Sequence, residues 1–154
     1  MGDSGALGHR RRSWHPTIAA FLVGYGTGYT LAVIEGTNTQ NLYGADVVSR
    51  LSVAINSDAG KEKLRRSVVN CLNRMIRELC ALADVPKAQV CEMVIAGNTA
   101  MHHLFPGLSV RQLALAPFKP DTDAALYLLS KDIGLDIRPA ARVSFQPPGC
   151  VVRC

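Results

Sequence analysis

The chain has 154 residues, 48% of them hydrophobic and 19% charged, with 17 Lys and Arg against 12 Asp and Glu for a formal net charge of +5. That is enough chain for one domain with a sizeable core, and no apolar run approaches the roughly 18 residues that a membrane-spanning helix needs, so no membrane association is expected. The surplus positive charge is thinly spread, with Arg10, Arg11 and Arg12 supplying three charges and Lys61, Lys63, Arg65, Arg66, Arg74 and Arg77 lying in one helical stretch that also holds Glu62 and Glu78. This pattern reads as a basic tail and a solvated face, against a nucleic-acid partner.

Residues 1–16, rich in Gly, Ser and Arg, read as a disordered basic N-terminal tail, and residues 17–154 as the domain. The arginines ahead of the apolar residues Ile18 to Val23 look superficially like an export signal. The run is short, Gly24, Gly26 and Gly28 break it, and no small-x-small cleavage site follows, so a cytoplasmic protein is expected. Phe21–Val23 and Thr30–Ile34 are strand-like and flank Gly24-Tyr25-Gly26-Thr27-Gly28-Tyr29. This is strand, glycine-rich turn, strand. A Walker loop would carry Gly-Lys-Ser/Thr into a helix, and a dinucleotide fingerprint would also be followed by a helix. Beyond the polar connector Gly36–Asn41, apolar residues at 47, 48, 51, 54 and 55 predict a helix over Ala45–Ile55, with Asp46 in its first turn.

Ser57-Asp58-Ala59-Gly60 interrupts the pattern, and Lys61 to Ala83 is the strongest helix in the sequence. Leu64, Val68, Cys71, Leu72, Met75, Ile76, Leu79 and Leu82 form one apolar stripe, while Arg65, Arg66, Asn73, Arg74 and Arg77 fall mostly outside it. Such a stripe covers a core or, alternatively, fits a partner's groove. After Asp84-Val85-Pro86 the apolar run Val90–Ala96 predicts a buried strand, and helix followed by buried strand is the order of a layered α/β domain.

That run stops at Gly97-Asn98-Thr99, where Gly97 permits a tight turn and Asn98 or Thr99 caps the next helix. Two readings stay open here: an ordinary capped turn, or a set of backbone N–H groups presented to an anion. His102 and His103 are adjacent, so on a helix they point about 100° apart and do not ligate one ion together; one packed and one partly exposed histidine are expected. Pro106-Gly107 makes a turn, and Pro117 and Pro120 fix a loop. Asp121 or Asp123 caps a short helix reaching about Lys131, Gly134 ends it, and Arg142–Phe145 forms a last strand. The five cysteines, Cys71, Cys80, Cys91, Cys150 and Cys154, contain no Cys-x-x-Cys, so neither a zinc site nor an iron–sulfur cluster is expected, and the thiols in the helix and strand read as buried. No metal ligands and no catalytic nucleophile are marked by spacing.

Three blocks carry a family resemblance. Gly97-Asn98-Thr99-Ala100-Met101-His102-His103-Leu104-Phe105, Tyr43-Gly44-Ala45-Asp46-Val47-Val48-Ser49-Arg50-Leu51 and Leu113-Ala114-Leu115-Ala116-Pro117-Phe118-Lys119-Pro120 resemble signatures of the reductive activators of corrinoid proteins. These are ATPases of the actin-like sugar-kinase/chaperone superfamily. The blocks stand in family order, and the resemblance that they carry spans about residues 21–148. The resemblance implies an α/β fold: a ribonuclease H-like, actin-like ATPase half-domain with a layered mixed sheet and helices. The resemblance also implies a truncated half-domain, since no counterpart of the family's second phosphate loop or adenosine motif is matched in these residues. In that superfamily the first phosphate-binding element is a hairpin of pattern Asp-Ile-Gly-Thr-Thr. Gly26 and Thr27 match its Gly-Thr, but Gly24 stands at the acid, Tyr25 at the Ile, and Gly28-Tyr29 replace the following Thr pair. The cofactor-binding residues implied are therefore Gly26, Thr27, Gly97, Asn98 and Thr99, with weak binding of ATP and Mg. The implied partner is a corrinoid protein or a corrinoid-dependent methyltransferase, with self-association through an exposed half-domain face as a further expectation. A non-catalytic interaction module is the alternative.

Overall fold

The computed structural model describes residues 17–37, 57–109, 113, 122 and 124–146. The basic tail, the helix expected over residues 45–55, the Pro117–Pro120 loop and the terminal Cys150 and Cys154 lie outside the described residues. Within them the fold is mixed α/β. Strands β1 (Thr17–Val23) and β2 (Thr30–Thr37) form an antiparallel hairpin, and β3 (Glu92–Ile95), β4 (Leu126–Leu129) and β5 (Arg142–Phe145) form a second sheet in the order β3-β5-β4. In that sheet β3 runs parallel to β5 and β4 antiparallel to it. The helices are α1 (Asp58–Leu82), α2 (Thr99–Leu104) and α3 (Ser130–Ile133).

The long helix holds the two sheets together. Ser57 caps it, its hydroxyl accepting the Gly60 N–H at 2.9 Å, and Asp58 sits in the first turn where the helix dipole favours an acid. Its apolar stripe divides between two neighbours. Val68, Val69, Leu72, Ile76 and Cys80 join Phe105, Ile133, Leu135, Ile137, Val143 and Phe145 in the core over the second sheet. Met75 faces the other way, and its Cε lies 3.8 Å from where a Cβ on Gly36 would stand, so the hairpin rests closely on the helix. Leu64, buried without trace of exposure, continues the stripe toward the N-terminal end.

The hairpin follows period-two alternation. Ile18, Ala20, Leu22, Ala32 and Ile34 are half-buried, while Phe21, Val23, Leu31 and Val33 point outward and are exposed. Phe21 pairs directly with Val33 in the register, and the strand is irregular between Leu22 and Val23. The strands extend beyond the apolar runs expected from sequence, because a register of paired residues carries β1 and β2 out to Thr17 and Thr37.

The second sheet differs from the sequence expectation at two places. The strand expected to be buried over Val90–Ala96 is β3, which pairs on one side only among the described strands and alternates exposed and half-buried residues, with Val94 53% exposed. The caps expected at Asp121 or Asp123 lie outside the described residues, but where the sequence predicts a helix reaching about Lys131, residues 126–133 form β4 and then the short α3. Leu126-Tyr127-Leu128-Leu129 has no helical period, and pairing with Arg142–Phe145 decides its conformation. Gly134 does end α3, with φ +79 in the left-handed region that favours glycine. Asn73, midway along α1, clips this turn at both ends: its Nδ2 donates to the Gly134 carbonyl at 2.9 Å, and its Oδ1 accepts the Asp136 N–H at 2.8 Å. Asn73→Ala removes both bonds and is expected to cost about 1–2 kcal/mol, read as a lower urea midpoint at unchanged slope.

The C-terminus of α1 is closed by a Schellman-type pair, Val85 N–H to the Cys80 carbonyl at 2.9 Å and Asp84 N–H to the Ala81 carbonyl at 3.4 Å. Asp84 occupies the left-handed position, φ 53, and its side chain is exposed. Asp84→Gly relieves the Cβ conflict of that conformation and is expected to stabilise the fold by about 0.5–1 kcal/mol, raising the thermal midpoint. An unchanged or lower midpoint would show that the Asp84 side chain itself supports the cap.

Candidate functional site

The turn between β1 and β2 is built on its own backbone. The Gly24 N–H donates to the Tyr29 carbonyl at 2.9 Å, and the Gly24 carbonyl accepts from the N–H groups of Thr27 at 3.2 Å and Gly28 at 2.8 Å. The Thr27 hydroxyl oxygen accepts the Tyr29 N–H at 3.3 Å. Gly28 takes φ +70, which no side chain adopts cheaply. Two consecutive donors remain: the N–H groups of Tyr25 and Gly26 make no hydrogen bond among the described residues. A Cβ on Gly26 would have nothing within 4 Å, whereas one on Gly24 would stand 2.8 Å from Thr27 Oγ1. The turn as folded thus leaves Gly26 open to an approaching group and closes the position where the resemblance calls for an acid. Tyr25 and Tyr29 flank the tip, 82% and 75% exposed.

The second element sits at the end of β3. The Ile95 carbonyl accepts the Gln146 N–H at 2.9 Å, which ends the strand pairing. Asn98 is the N-cap of α2, with φ −74 and ψ 167, and its Oδ1 accepts the Met101 N–H at 3.0 Å. Gly97 lies close to the helix, since a Cβ there would stand 3.3 Å from Met101 Cβ, a tight contact that Met101 would have to yield to by a few tenths of an ångström. Gly97 and Asn98 are exposed and Thr99 half-buried. Past the cap, the N–H groups of Thr99 and Ala100 face outward from the helix start.

The far end of α2 is clamped from α1. Lys61 Nζ donates to the Gly107 carbonyl at 2.6 Å and Arg65 Nε to the Phe105 carbonyl at 3.2 Å. Cations suit carbonyls at a helix C-terminus. These two residues position α2 and were missed by sequence reasoning, because their acceptors lie 46 and 40 residues downstream. Both histidines are buried, where one was expected partly exposed. His102 stacks its ring edge-on to Phe145 at 6.4 Å. His103 Nδ1 lies 2.9 Å from the Thr99 carbonyl, and its Nε2 lies 3.4 Å from the Thr122 N. The first contact requires a proton on Nδ1 and the second a lone pair on Nε2, which fixes the neutral tautomer.

Gly26 and Thr27 therefore lie on one element and Gly97, Asn98 and Thr99 on another. No hydrogen bond joins the two among the described residues, and α1, which contacts β1, β2 and α2, is their common support. Among the described residues no three His, Cys, Asp or Glu side chains come together in a way that would hold a metal ion, and no helix is long and apolar enough to cross a membrane. Cys71 and Cys80 are buried as expected, but Cys91 is exposed just ahead of β3. Burial pushes the Cys80 thiol above its ordinary value of 9.0, with the Lys87 ammonium opposing. The unfolded chain ionises first, so the stability from keeping this thiol neutral is full below about pH 9 and erodes as pH climbs through the folded value. In native protein Cys91 is expected to react with a thiol reagent at pH 8 well before Cys80, as peptide mapping of the labelled protein would show.

The comparisons with known proteins agree. The family model described as the RACo middle region matches residues 15–150. The corrinoid activation enzyme RamQ of Eubacterium limosum is 29% identical over 131 residues, covering 85% of this chain and 22% of that protein. A solved structure of a reductive activator for corrinoid, iron-sulfur protein superposes with a TM-score of 0.82 at 30% identity, covering 85% of this chain and 21% of that one. The chain spans about a fifth of the length of these relatives. With its fold and its sequence matched over the same share of the chain, this protein belongs to the RACo middle-region family.

Proposed function

We propose that this chain supplies one wall of an ATP-dependent reductive activator of corrinoid proteins, acting in the cytoplasm on a corrinoid protein or corrinoid-dependent methyltransferase. The observation that carries the reading is the family match across residues 15–150. The proposed contacts follow from the donors that the two turns leave unused. On the hairpin these are the Tyr25 and Gly26 N–H groups and the proton of the Thr27 hydroxyl. At the start of α2 they are the N–H groups behind Gly97, Asn98 and Thr99. Both sets suit phosphate oxygens. A nucleotide bound there would supply the free energy of hydrolysis to a conformational change. The residues fit a phosphate but not a metal, since Gly24 offers no carboxylate and the space beside it is taken by Thr27 Oγ1.

Thermal unfolding with and without excess Mg-ATP tests this reading. At several-fold above the dissociation constant, a ligand selective for the folded chain adds about 1 kcal/mol, and Gly97→Val should abolish that increment. An identical transition with and without nucleotide would sink the nucleotide half of the proposal. The second reading, a non-catalytic interaction module, is favoured by Gly24 at the acid position and by the exposed apolar face of Phe21, Val23, Leu31 and Val33, which also supports self-association. Binding of a corrinoid protein in the absence of nucleotide would select it.

A further inference from the structure

The exposed face of α1 has a charge pattern that neither the core nor the two turns use. Between Lys63 and Arg77 the sequence contains five cations and no acid: Lys63, Arg65, Arg66, Arg74 and Arg77. Arg65 is turned inward to the Phe105 carbonyl. The other four are exposed, with Asn70 between them. Their spacing of three, then eight, then three residues keeps them on one face, over roughly 21 Å of helix at about 1.5 Å per residue. Acids stand only at the two ends. Glu62 accepts from Arg66 at 2.8 Å and lies 3.6 Å from Arg65, and Glu78 lies 3.9 Å from Arg74. The Arg66 hydrogen bond holds the Glu62 carboxyl below its ordinary value. Along this face runs an open groove of about 620 Å³, lined among the described residues by Lys63, Arg66, Asn70 and Arg74, with Glu62 as its one acid at the end nearest the helix start.

We infer that this face of α1 is a docking groove for an acidic protein segment, one presenting carboxylates at helical or extended spacing to Lys63, Arg66 and Arg74. Charge complementarity selects that occupant. A single-stranded nucleic acid would want aromatic side chains on which to stack, and none occurs between Lys63 and Arg77. A duplex would need the helix to enter a groove, but α1 is packed along its length against the hairpin and the core. A membrane surface would need an apolar face beside the cations, and the apolar face of α1 is buried. The inference rests on the proposed function only for the identity of the protein that carries the segment, a corrinoid protein.

The test uses the full chain and a fluorescein-labelled poly-L-glutamate of about 15 residues, with binding read by anisotropy at low and moderate salt. The expected result is salt-sensitive binding that falls about tenfold or more in Arg66→Glu/Arg74→Glu. The charge-matched control Lys131→Glu/Arg138→Glu, at exposed positions outside the groove, should stay within about twofold of wild type. If the first variant melts early, Arg66→Gln/Arg74→Gln against Lys131→Gln/Arg138→Gln makes the same comparison. Equal losses in the two pairs, or no binding by wild type, would overturn the groove. So would tighter, groove-dependent binding of a duplex DNA of matched charge. A second arm measures a corrinoid iron–sulfur protein against the same variants. Binding that ignores Arg66 and Arg74 overturns the groove and leaves the proposed function standing. Groove-dependent peptide binding without corrinoid-protein binding supports the groove and counts against that function.

Discussion

Phe105→Ala is expected to lower the unfolding free energy by about 3–5 kcal/mol, a large share of the roughly 5–15 kcal/mol that a domain commonly holds. The ring is 1% exposed and lies 4.9 Å from that of Phe145, in the cluster where α1, α3 and the second sheet meet. Its ring partner Phe145 is held in β5 by backbone pairing on both sides, which limits how far β5 can close on the space. The main-chain clamp survives the change: the Phe105 N–H still reaches the Met101 carbonyl, and Arg65 still donates to the Phe105 carbonyl. The loss is therefore one of packing, and it should appear in urea unfolding as a lower midpoint. Tyr127→Ala, at a side chain 76% exposed, should cost under about 0.5 kcal/mol in the same assay. A Phe105→Ala protein within 1 kcal/mol of wild type would mean that α2 is held by its clamps and not by its core contact. The consequence reaches the proposed site, since the helix that Phe105 anchors is the one that Asn98 starts.

The sequence shows this anchor only in part. The stripe of α1 is legible because eight apolar residues recur at helical spacing, and the structure buries all of them except Leu82, which is 67% exposed at the last turn. Gly134 and the strand at Arg142–Phe145 are legible because glycine at a helix end and a bounded apolar run each have one cheap solution. The strand at Leu126–Leu129 is not legible, since four apolar residues carry no period and their partner lies beyond a further helix. The same holds at the candidate site. Gly26, Thr27, Gly97, Asn98 and Thr99 are proposed from the family resemblance, but local sequence says nothing of how the hairpin turn spends its donors. Four of its N–H groups bond within the turn, three to backbone carbonyls and that of Tyr29 to Thr27 Oγ1. Lys61 and Arg65 read as solvated helix charges until the fold brings the end of α2 against them. In each case what is hidden is a contact between distant segments, and what is visible is a local preference.

His103 is where such a distant contact should show its size. The ring is fully buried, bonded through Nδ1 to Thr99 on its own helix and through Nε2 to the Thr122 N–H beyond the turn. His103→Ala removes the volume and leaves that amide without its acceptor, so a cost of about 2–4 kcal/mol is expected. His103→Leu refills most of the space but restores no acceptor, and should recover only the packing share, leaving about 1–3 kcal/mol. The two variants thus separate cavity from hydrogen bond. Amide exchange gives the sharper reading: in His103→Leu the Thr122 N–H should exchange much faster, while amides in the centre of α1 shift only with global stability. If the leucine variant equals wild type in both measurements, the 3.4 Å contact to Thr122 contributes nothing, and His103 is a packed ring alone. If it behaves as expected, a histidine of the family block following Asn98 is a tie between α2 and the chain at Thr122. Its place in the block then follows from structure, without any need for it to touch substrate or metal.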